Sequence, residues 1–356
     1  MQRKTVLLLF GGESSEHDVS VSSARNVYAA IDDTQFTVIL GYIDHHGKWW
    51  LLESLESDID YHGALQLTPV LGMRSFVTLP ENHIIKPDVM LPILHGKNGE
   101  DGSVQGLAHL LHIPIVGCDM TASVICMNKL ATKEILVSHG IKVAPYEVHR
   151  KGEEPPQFTQ LSMQFGVPLF VKPVRGGSSI GVSKVYSEEE FVRALELAHE
   201  HDDIALIERG ITGRELEVAV LGDPPSHRVS GVGEVRAGAE FYSYLAKYSS
   251  ESRAEIIVPA DLEEAVSERV RALARRVYAI LGCSGLSRVD FFLADDQAIY
   301  VNEINTLPGF TNGSMYSKLW RHEGVSYSQL IRELIEQTLN ETRNSKLSKD
   351  VTPGRL

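Results

Sequence analysis

Residues 5–10 (Thr-Val-Leu-Leu-Leu-Phe) form a short unbroken apolar run, the pattern of a strand buried on both faces. Gly11-Gly12-Glu13-Ser14-Ser15 interrupts it, and a helical pattern follows to about Ala30. Residues 36–43 and 88–94 read as further strands, with a polar, irregular stretch between them that holds a strand-like insert at Trp49-Trp50. Strand, glycine turn and helix in repetition predict a parallel sheet covered by helices. Ligands of such sheets sit at the carboxyl ends of the strands, where Gly11-Gly12 and His95-Gly96 fall.

The pattern changes near Asp119. Thr121 can cap a helix running to about His139, and Gly140 stops it. Residues 170–172 and 183–186 read as strands flanking a glycine-rich loop. Ser187 with Glu190 is a capping box for the next helix. Strands are expected at 204–208, 215–222 and 229–235, a loose segment at 240–255, and a strong helix over 261–281. Ser326 with Gln329 opens the last helix, and the polar residues 345–356 predict a frayed tail. These shifts divide the chain into an α/β unit at 1–118 and two α+β units at 119–215 and 216–356.

The 356 residues are 43% hydrophobic and 23% charged, an ordinary globular composition and long enough for a sizeable core. No apolar run approaches the ~18 residues that span a bilayer, and no secretory leader pattern opens the chain. Cys118, Cys126 and Cys283 form no CxxC pair, which suits a reducing compartment. A net charge of −13 disfavours nonspecific nucleic-acid binding. The expectation is a cytoplasmic protein with no nucleic-acid or membrane partner. The fourteen histidines show no HExxH or CxxC…HxxxH spacing, so a zinc site is not expected.

Three stretches carry candidate chemistry. In Lys172-Pro-Val-Arg-Gly-Gly-Ser-Ser-Ile-Gly-Val182, small residues leave backbone N–H groups open to phosphate oxygens, with Ser178, Ser179 and Lys172 as further donors. It lacks the Gly-Lys-Ser/Thr ending of a Walker A loop, and a plain Gly/Ser hairpin turn is the alternative reading. Arg288-Val-Asp290 and Asn302-Glu303-Ile-Asn305 lie on two alternating runs joined by a polar turn. A turn on Asp296-Gln297 sets Asp290 opposite Glu303 and Arg288 opposite Asn305. Opposed carboxylates repel unless a divalent cation lies between them, and two carboxylates plus an amide suit Mg²⁺. A solvated hairpin face with Arg288 neutralising Asp290 is the alternative. Finally, Glu16 at the start of the first helix could grip an ammonium group, or Ser14 or Ser15 could simply cap that helix.

Together these segments resemble an ATP-grasp ligase of the D-alanine-D-alanine ligase family of bacterial cell-wall synthesis. The resemblance runs from Gly11 to about Leu339. It rests on Gly11-Gly-Glu-Ser-Ser-Glu16, His95-Gly-Lys-Asn-Gly-Glu-Asp-Gly102, Met127-Asn-Lys129, Phe170-Val-Lys-Pro173, the Gly-rich loop, Glu208, Glu215, Ala246-Lys-Tyr248, Arg288-Val-Asp290 and Asn302-Glu-Ile-Asn-Thr-Leu-Pro-Gly309. It implies an N-terminal parallel-sheet domain followed by a two-lobed ATP-grasp fold, with ATP held between the lobes.

By that resemblance, Lys129 and Lys172 hold ATP phosphates, with Gly177 and Ser179 of the loop. Glu208 and Arg209 stand at adenine-contacting positions, Arg209 where many relatives have Lys, and Glu215 at a ribose-contacting one. Lys247 lies on a loop that covers the phosphates. Asp290, Glu303 and Asn305 match ligands of two Mg²⁺ ions, with Mn²⁺ as a substitute. Glu16, Ser178 and Tyr248 form a hydrogen-bonded set at the first D-alanine, near His95. Arg288 and the N–H of Gly309 stabilise an oxyanion, and Ser314 and Met315 hold the second carboxylate. The resemblance implies D-alanyl-D-alanine formation through an acylphosphate, in a homodimer. D-Serine or D-lactate as second substrate, or a silent ATP-binding protein, are the alternatives.

Overall fold

The computed structural model describes residues 3–56, 59–236 and 255–349. Its first sheet has seven strands, and β1 (Lys4–Gly11) lies parallel to both β2 (Phe36–Ile43) and β7 (Val89–Ile93). The apolar run is buried on both faces as its pattern predicts. Val6, Leu8 and Phe10 join one core cluster, and Leu7 and Leu9 join another. Helix α1 (His17–Ala30) packs with the first set, α2 (Ser103–Leu111) with the second.

The stretch read as irregular is a meander of β3 (Trp49–Leu52), β4 (Leu65–Val70), β5 (Ser75–Leu79) and β6 (Ile84–Ile85). It extends the sheet antiparallel from β2, so the sheet is parallel only across β2-β1-β7. Its strands are half-buried, which is why no continuous apolar run marks them.

The helix expected over 121–139 is two. Asp119 caps α3 (Met120–Met127), accepting from the Ala122 N–H, and Asn128 caps α4 (Lys129–Ser138), accepting from the Ala131 N–H at 3.0 Å. An extended Asn128 backbone ends one helix and starts the other. A four-stranded antiparallel sheet follows, ordered β10 (Ser183–Val185), β9 (Leu169–Pro173), β11 (Ile204–Arg209), β8 (Tyr146–Arg150). Helices α5 (Phe158–Phe165) and α6 (Glu188–His201) cover it. Ser187 caps α6 as its sequence signal predicts.

The third sheet is antiparallel, ordered β14 (Glu255–Ile257), β13 (Arg228–Arg236), β12 (Gly213–Leu221), β15 (Leu286–Ala294), β16 (Ile299–Asn305). Helix α7 (Glu264–Ile280) covers one face; it starts three residues later than Asp261 suggested, with no side-chain cap. Helices α8 (Met315–His322) and α9 (Tyr327–Lys349) cover the other and also pack on β1, β7 and α1, so the first and third sheets share one core. Ser326 and Gln329 form the expected reciprocal capping box of α9. That helix continues through 345–349, where a tail was expected. The loose segment expected at 240–255 lies outside the described residues, except Glu255.

Among the described residues no helix is long and apolar enough to cross a membrane. Cys118, Cys126 and the sequence-distant Cys283 meet under the third sheet as buried thiols, with Cys126 Sγ 3.8 Å from Cys283 Sγ.

Candidate active site

All three sheets contribute to one cleft of about 760 Å³. From the first come Glu16 and His95, at the carboxyl ends of β1 and β7. Gly11 turns the chain at φ +91°, where an added Cβ would lie 2.2 Å from the Ile43 carbonyl oxygen. His17 Nδ1 then donates to Gly12 O at 2.7 Å, and Nε2 lies 3.1 Å from Tyr42 Oη, fixing the turn. The Ser14 hydroxyl accepts from the Glu16 N–H and donates to His95 O, tying the two loops together.

Glu16 is buried at the start of α1, and its carboxylate nears two glycines. A Cβ on Gly96 would lie 3.2 Å from Glu16 Oε2, and one on Gly177 of the Gly-rich loop 3.9 Å. His95 is buried, with Nδ1 3.2 Å from Leu307 O; burial pulls it below the usual histidine range, against the pull of Glu16. Glu100 also faces the cleft and accepts from the Gly96 N–H at 2.7 Å. Burial, then the charge of Glu16, push its carboxyl up to about 8.

The Gly-rich loop joins β9 to β10 and is tied at its base. Arg175 binds Asp202 through its backbone N–H and a bidentate guanidinium, and Lys129 Nζ donates to Gly176 O. Ser178 and Ser179 both take left-handed φ, +53° and +58°, a conformation that costs roughly 1–2 kcal/mol per non-glycine residue. Gly177 and Ser178 line the cleft, whereas Ser179 stands outside it. Lys172, on β9, lies behind the lining with Nζ 2.7 Å from Glu208 Oε2. Lys133, one turn beyond Lys129 on α4, reaches Oε1 of the same carboxylate at 2.9 Å. Burial raises the Glu208 carboxyl, but the two lysines outweigh it and hold it down at about 2. Arg209 is exposed, and its N–H is bonded to Pro145 O. Glu215 lines the cleft from β12.

The third sheet supplies the hairpin. Asp290 pairs with Glu303 and Arg288 with Asn305, the predicted register. Arg288 binds Asp290 through Nε and Nη2, both at 2.7 Å, and lies 2.7 Å from Glu217 Oε2. Asn305 donates to Asp290 Oδ2 at 2.9 Å, and Lys129 Nζ is 3.9 Å from Glu303. Arg288 therefore does pair with Asp290, and Nη1 takes part in neither of its bonds to that carboxylate. Gly309 and the N-terminus of α8, with Ser314 and Met315, close this side. The Ser314 hydroxyl accepts from the Thr311 N–H at 3.0 Å.

Among the described residues, Glu16, Asp18, Glu100, Glu215, Glu217, Asp290 and Glu303 line the cleft against only Lys129 and Arg288. A polyphosphate would be repelled there without added cations. The donor set of Asp290, Glu303 and Asn305, hard oxygens on one side of a hairpin, fits Mg²⁺. Lys247 and Tyr248 lie outside the described residues.

Lys133, Glu100 and Glu217 carry no role in the sequence reading, though two had signals. Lys133 follows Lys129 by four residues on a helix, and Glu217 follows Glu215 by two on a strand, so each shares a face with a residue already singled out.

Two family models match the chain: "D-ala D-ala ligase N-terminus" over residues 5–118 and "D-ala D-ala ligase C-terminus" over 135–336. D-alanine--D-alanine ligase A of Escherichia coli (strain K12) is 42% identical over 352 residues, covering 95% of this chain and 96% of its own. Among solved structures, the VanG D-Ala:D-Ser ligase of Enterococcus faecalis superposes with a TM-score of 0.86 at 35% identity, over 95% of this chain and 100% of that one. The D-alanine-D-alanine ligase of Coxiella burnetii gives 0.87 at 32% identity, over 98% of each. The likeness spans the α/β unit and both later lobes, as the expected ATP-grasp fold requires. By both family models and by identity along nearly its whole length, the chain belongs to the D-alanine-D-alanine ligase family.

Proposed function

We propose that this chain joins two D-alanines into D-alanyl-D-alanine, driven by ATP, for peptidoglycan precursor synthesis. The observation that carries the reading is the meeting, in one cleft, of a buried carboxylate (Glu16), a glycine-rich loop with Lys129 at its base, and the Arg288–Asp290–Glu303–Asn305 hairpin. Glu16 holds the ammonium of the first D-alanine between Gly96 and Gly177, beside His95 and Ser178. The carboxylate of that D-alanine then faces the phosphate loop and accepts the γ-phosphoryl group of ATP, giving a D-alanyl phosphate and ADP.

Lys129 and Lys172 take the phosphate charge, while Glu208, Arg209 and Glu215 border the nucleoside. Gly177 and Ser179 offer backbone donors, and Lys247 adds a further cation. Asp290, Glu303 and Asn305 would hold Mg²⁺, or Mn²⁺, which when bound neutralises phosphate charge and aligns the transferring group. The N-terminus of α8, at Ser314 and Met315, is suited to the carboxylate of the second D-alanine, because its partial positive charge favours an anion. The free amine of that D-alanine attacks the acyl carbon, phosphate leaves as hydrogen phosphate with the amine's proton, and Arg288 with the Gly309 N–H stabilises the oxyanion, each such donor being worth about 3 kcal/mol. Tyr248 joins Glu16 and Ser178 by resemblance. Three free thiols support a reducing cytoplasm as the setting, and the family resemblance supports a homodimer.

The deciding experiment gives purified protein ATP and Mg²⁺ with D-alanine, D-serine, D-lactate or L-alanine, and measures phosphate release and the product formed. D-Alanine alone should give D-alanyl-D-alanine with one phosphate per dipeptide. No phosphate release with any of them would overturn the reading in favour of a silent nucleotide-binding protein. One observation favours a second reading, D-serine as second substrate: the close likeness to the VanG D-Ala:D-Ser ligase. Faster mixed-dipeptide formation from D-alanine plus D-serine would select it.

A further inference from the structure

Lys133 is a charged side chain that the proposed reaction leaves without a role, and it is only 1% exposed. It reaches Glu208 from α4, against the face of the Tyr146 ring at 5.7 Å, while Lys172 reaches the same carboxylate from β9. Lys133 Nζ and Glu208 Oε1 meet at 2.9 Å outside hydrogen-bond geometry, so their contact is one of charge. One carboxylate thus answers two lysines. Lys172 is the more accessible of the two, and the glycine-rich loop begins immediately after its strand.

We propose that Lys133 is a positioning residue that keeps Glu208 neutralised, so that Lys172 can leave Glu208 for the phosphates of the nucleotide. The inference rests on the reading of Lys172 as a phosphate-binding lysine. Its logic is charge balance. With both lysines present, departure of Lys172 leaves a compact Lys133–Glu208 pair. Without Lys133, the same departure would strand a buried, unpaired carboxylate, which is strongly unfavourable. Lys172 would then stay with Glu208, and the nucleotide would lose a cation. Helix α4 carries both Lys129, at the loop, and Lys133, behind it, so one helix would serve the phosphates directly and through a released partner.

The test compares Lys133→Met, Lys133→Arg, Glu208→Gln, Lys172→Met and the Lys133→Met/Glu208→Gln double variant. ATP affinity is measured by calorimetry with Mg²⁺, alongside KM for ATP, kcat and Tm. Lys133→Met should weaken ATP binding roughly tenfold or more while kcat changes less, because the lost release of Lys172 acts on binding. Lys133→Arg should stay near wild type. Lys133→Met should cost several-fold less ATP affinity in the Glu208→Gln background than in wild type, since no charge is then stranded; a purely structural role for Lys133 gives no such relief. Wild-type ATP affinity in Lys133→Met, or an equal loss from that change whether or not Glu208 is Gln, would overturn the proposal. If Lys133→Met does not fold, the double variant is compared with Glu208→Gln. Near-equal ATP affinities support the proposal, and a gap of about tenfold overturns it. Wild-type affinity in Lys172→Met would instead refute the reading of Lys172 itself.

Discussion

Asp290 stands directly opposite Glu303 because Asn302 is an extra residue in β16. Nearer the turn, Phe291 pairs with Val301 and Leu293 with Ile299, and the register shifts by one between Asp290 and Phe291. The bulge turns two carboxylates onto one side of the hairpin, where Arg288 and Asn305 bind Asp290 and Lys129 lies 3.9 Å from Glu303. Glu303→Gln removes one of them. Turnover at limiting Mg²⁺ should fall roughly a hundredfold or more, because one anionic ligand of a hard cation is lost. Tm should hold or rise, because a like-charge contact is relieved. Phosphate release titrated against Mg²⁺, with a melting curve, checks both. Unchanged activity at low Mg²⁺ would remove Glu303 from the metal site.

Asn128 ends α3 and caps α4, and Lys129 is the first residue of the capped helix. Asn128→Ala leaves the Ala131 N–H without its acceptor and should lower stability by about 1 kcal/mol. The same change loosens the helix start that holds Lys129 against Gly176, so KM for ATP should rise by a few-fold while KM for D-alanine stays near wild type. Denaturant unfolding and steady-state kinetics separate the two effects.

The hairpin shows how far sequence pattern reaches. Alternation placed Arg288, Asp290, Glu303 and Asn305 on one side, and they are there. Two local details depart from the simple alternation and offset each other. The turn is one residue longer than expected, spanning 295–297 with Gln297 at φ +63° and the Ala294 N–H bonded to Ala298 O, and the bulge at Asn302 restores the register. Local signals such as the Ser187 and Ser326 caps were equally legible. The strands β4 to β6 were not, because these short, half-buried strands mix polar and apolar residues without a clean period. Nor was the Lys133–Glu208–Lys172 cluster, which joins a helix to two strands through contacts distant in sequence. Helix spacing brings Lys133 to the face of Lys129, but no local pattern shows the carboxylate that waits there.

Gly233 on β13 lies under the start of α8. A Cβ at that position would fall 2.5 Å from Met315 Sδ and 3.0 Å from its Cε. Both atoms lie at the far end of a flexible side chain, so Gly233→Ala should displace Met315 rather than unfold the sheet. Met315 lines the cleft beside Ser314. KM for the second D-alanine should therefore rise about tenfold, and KM for ATP should hardly move. Equal changes in both, or neither, would place Met315 away from the second substrate.

Glu100 gives a pH signature of the cleft. Burial, and after it the charge of Glu16, push its carboxyl up to about 8, far above the ~4.3 of an unfolded chain. The folded state thus binds a proton that the unfolded state has released throughout the interval between those values. Stability from this group is fully present below the unfolded value, falls as pH rises through the interval, and levels above about 8. One pH unit corresponds to 1.36 kcal/mol, so between pH 6 and pH 8 the loss is at most roughly 2–3 kcal/mol. Glu100→Gln keeps an oxygen for the Gly96 N–H but carries no proton to lose. The variant should therefore melt with a flatter pH dependence and overtake wild type at about pH 8–9, as the wild-type carboxyl ionises. Melting temperatures of both proteins measured from pH 5 to pH 9 decide it. Parallel curves would mean that Glu100 is already ionised beside Glu16 at neutral pH, and that another cation in the cleft compensates the pair.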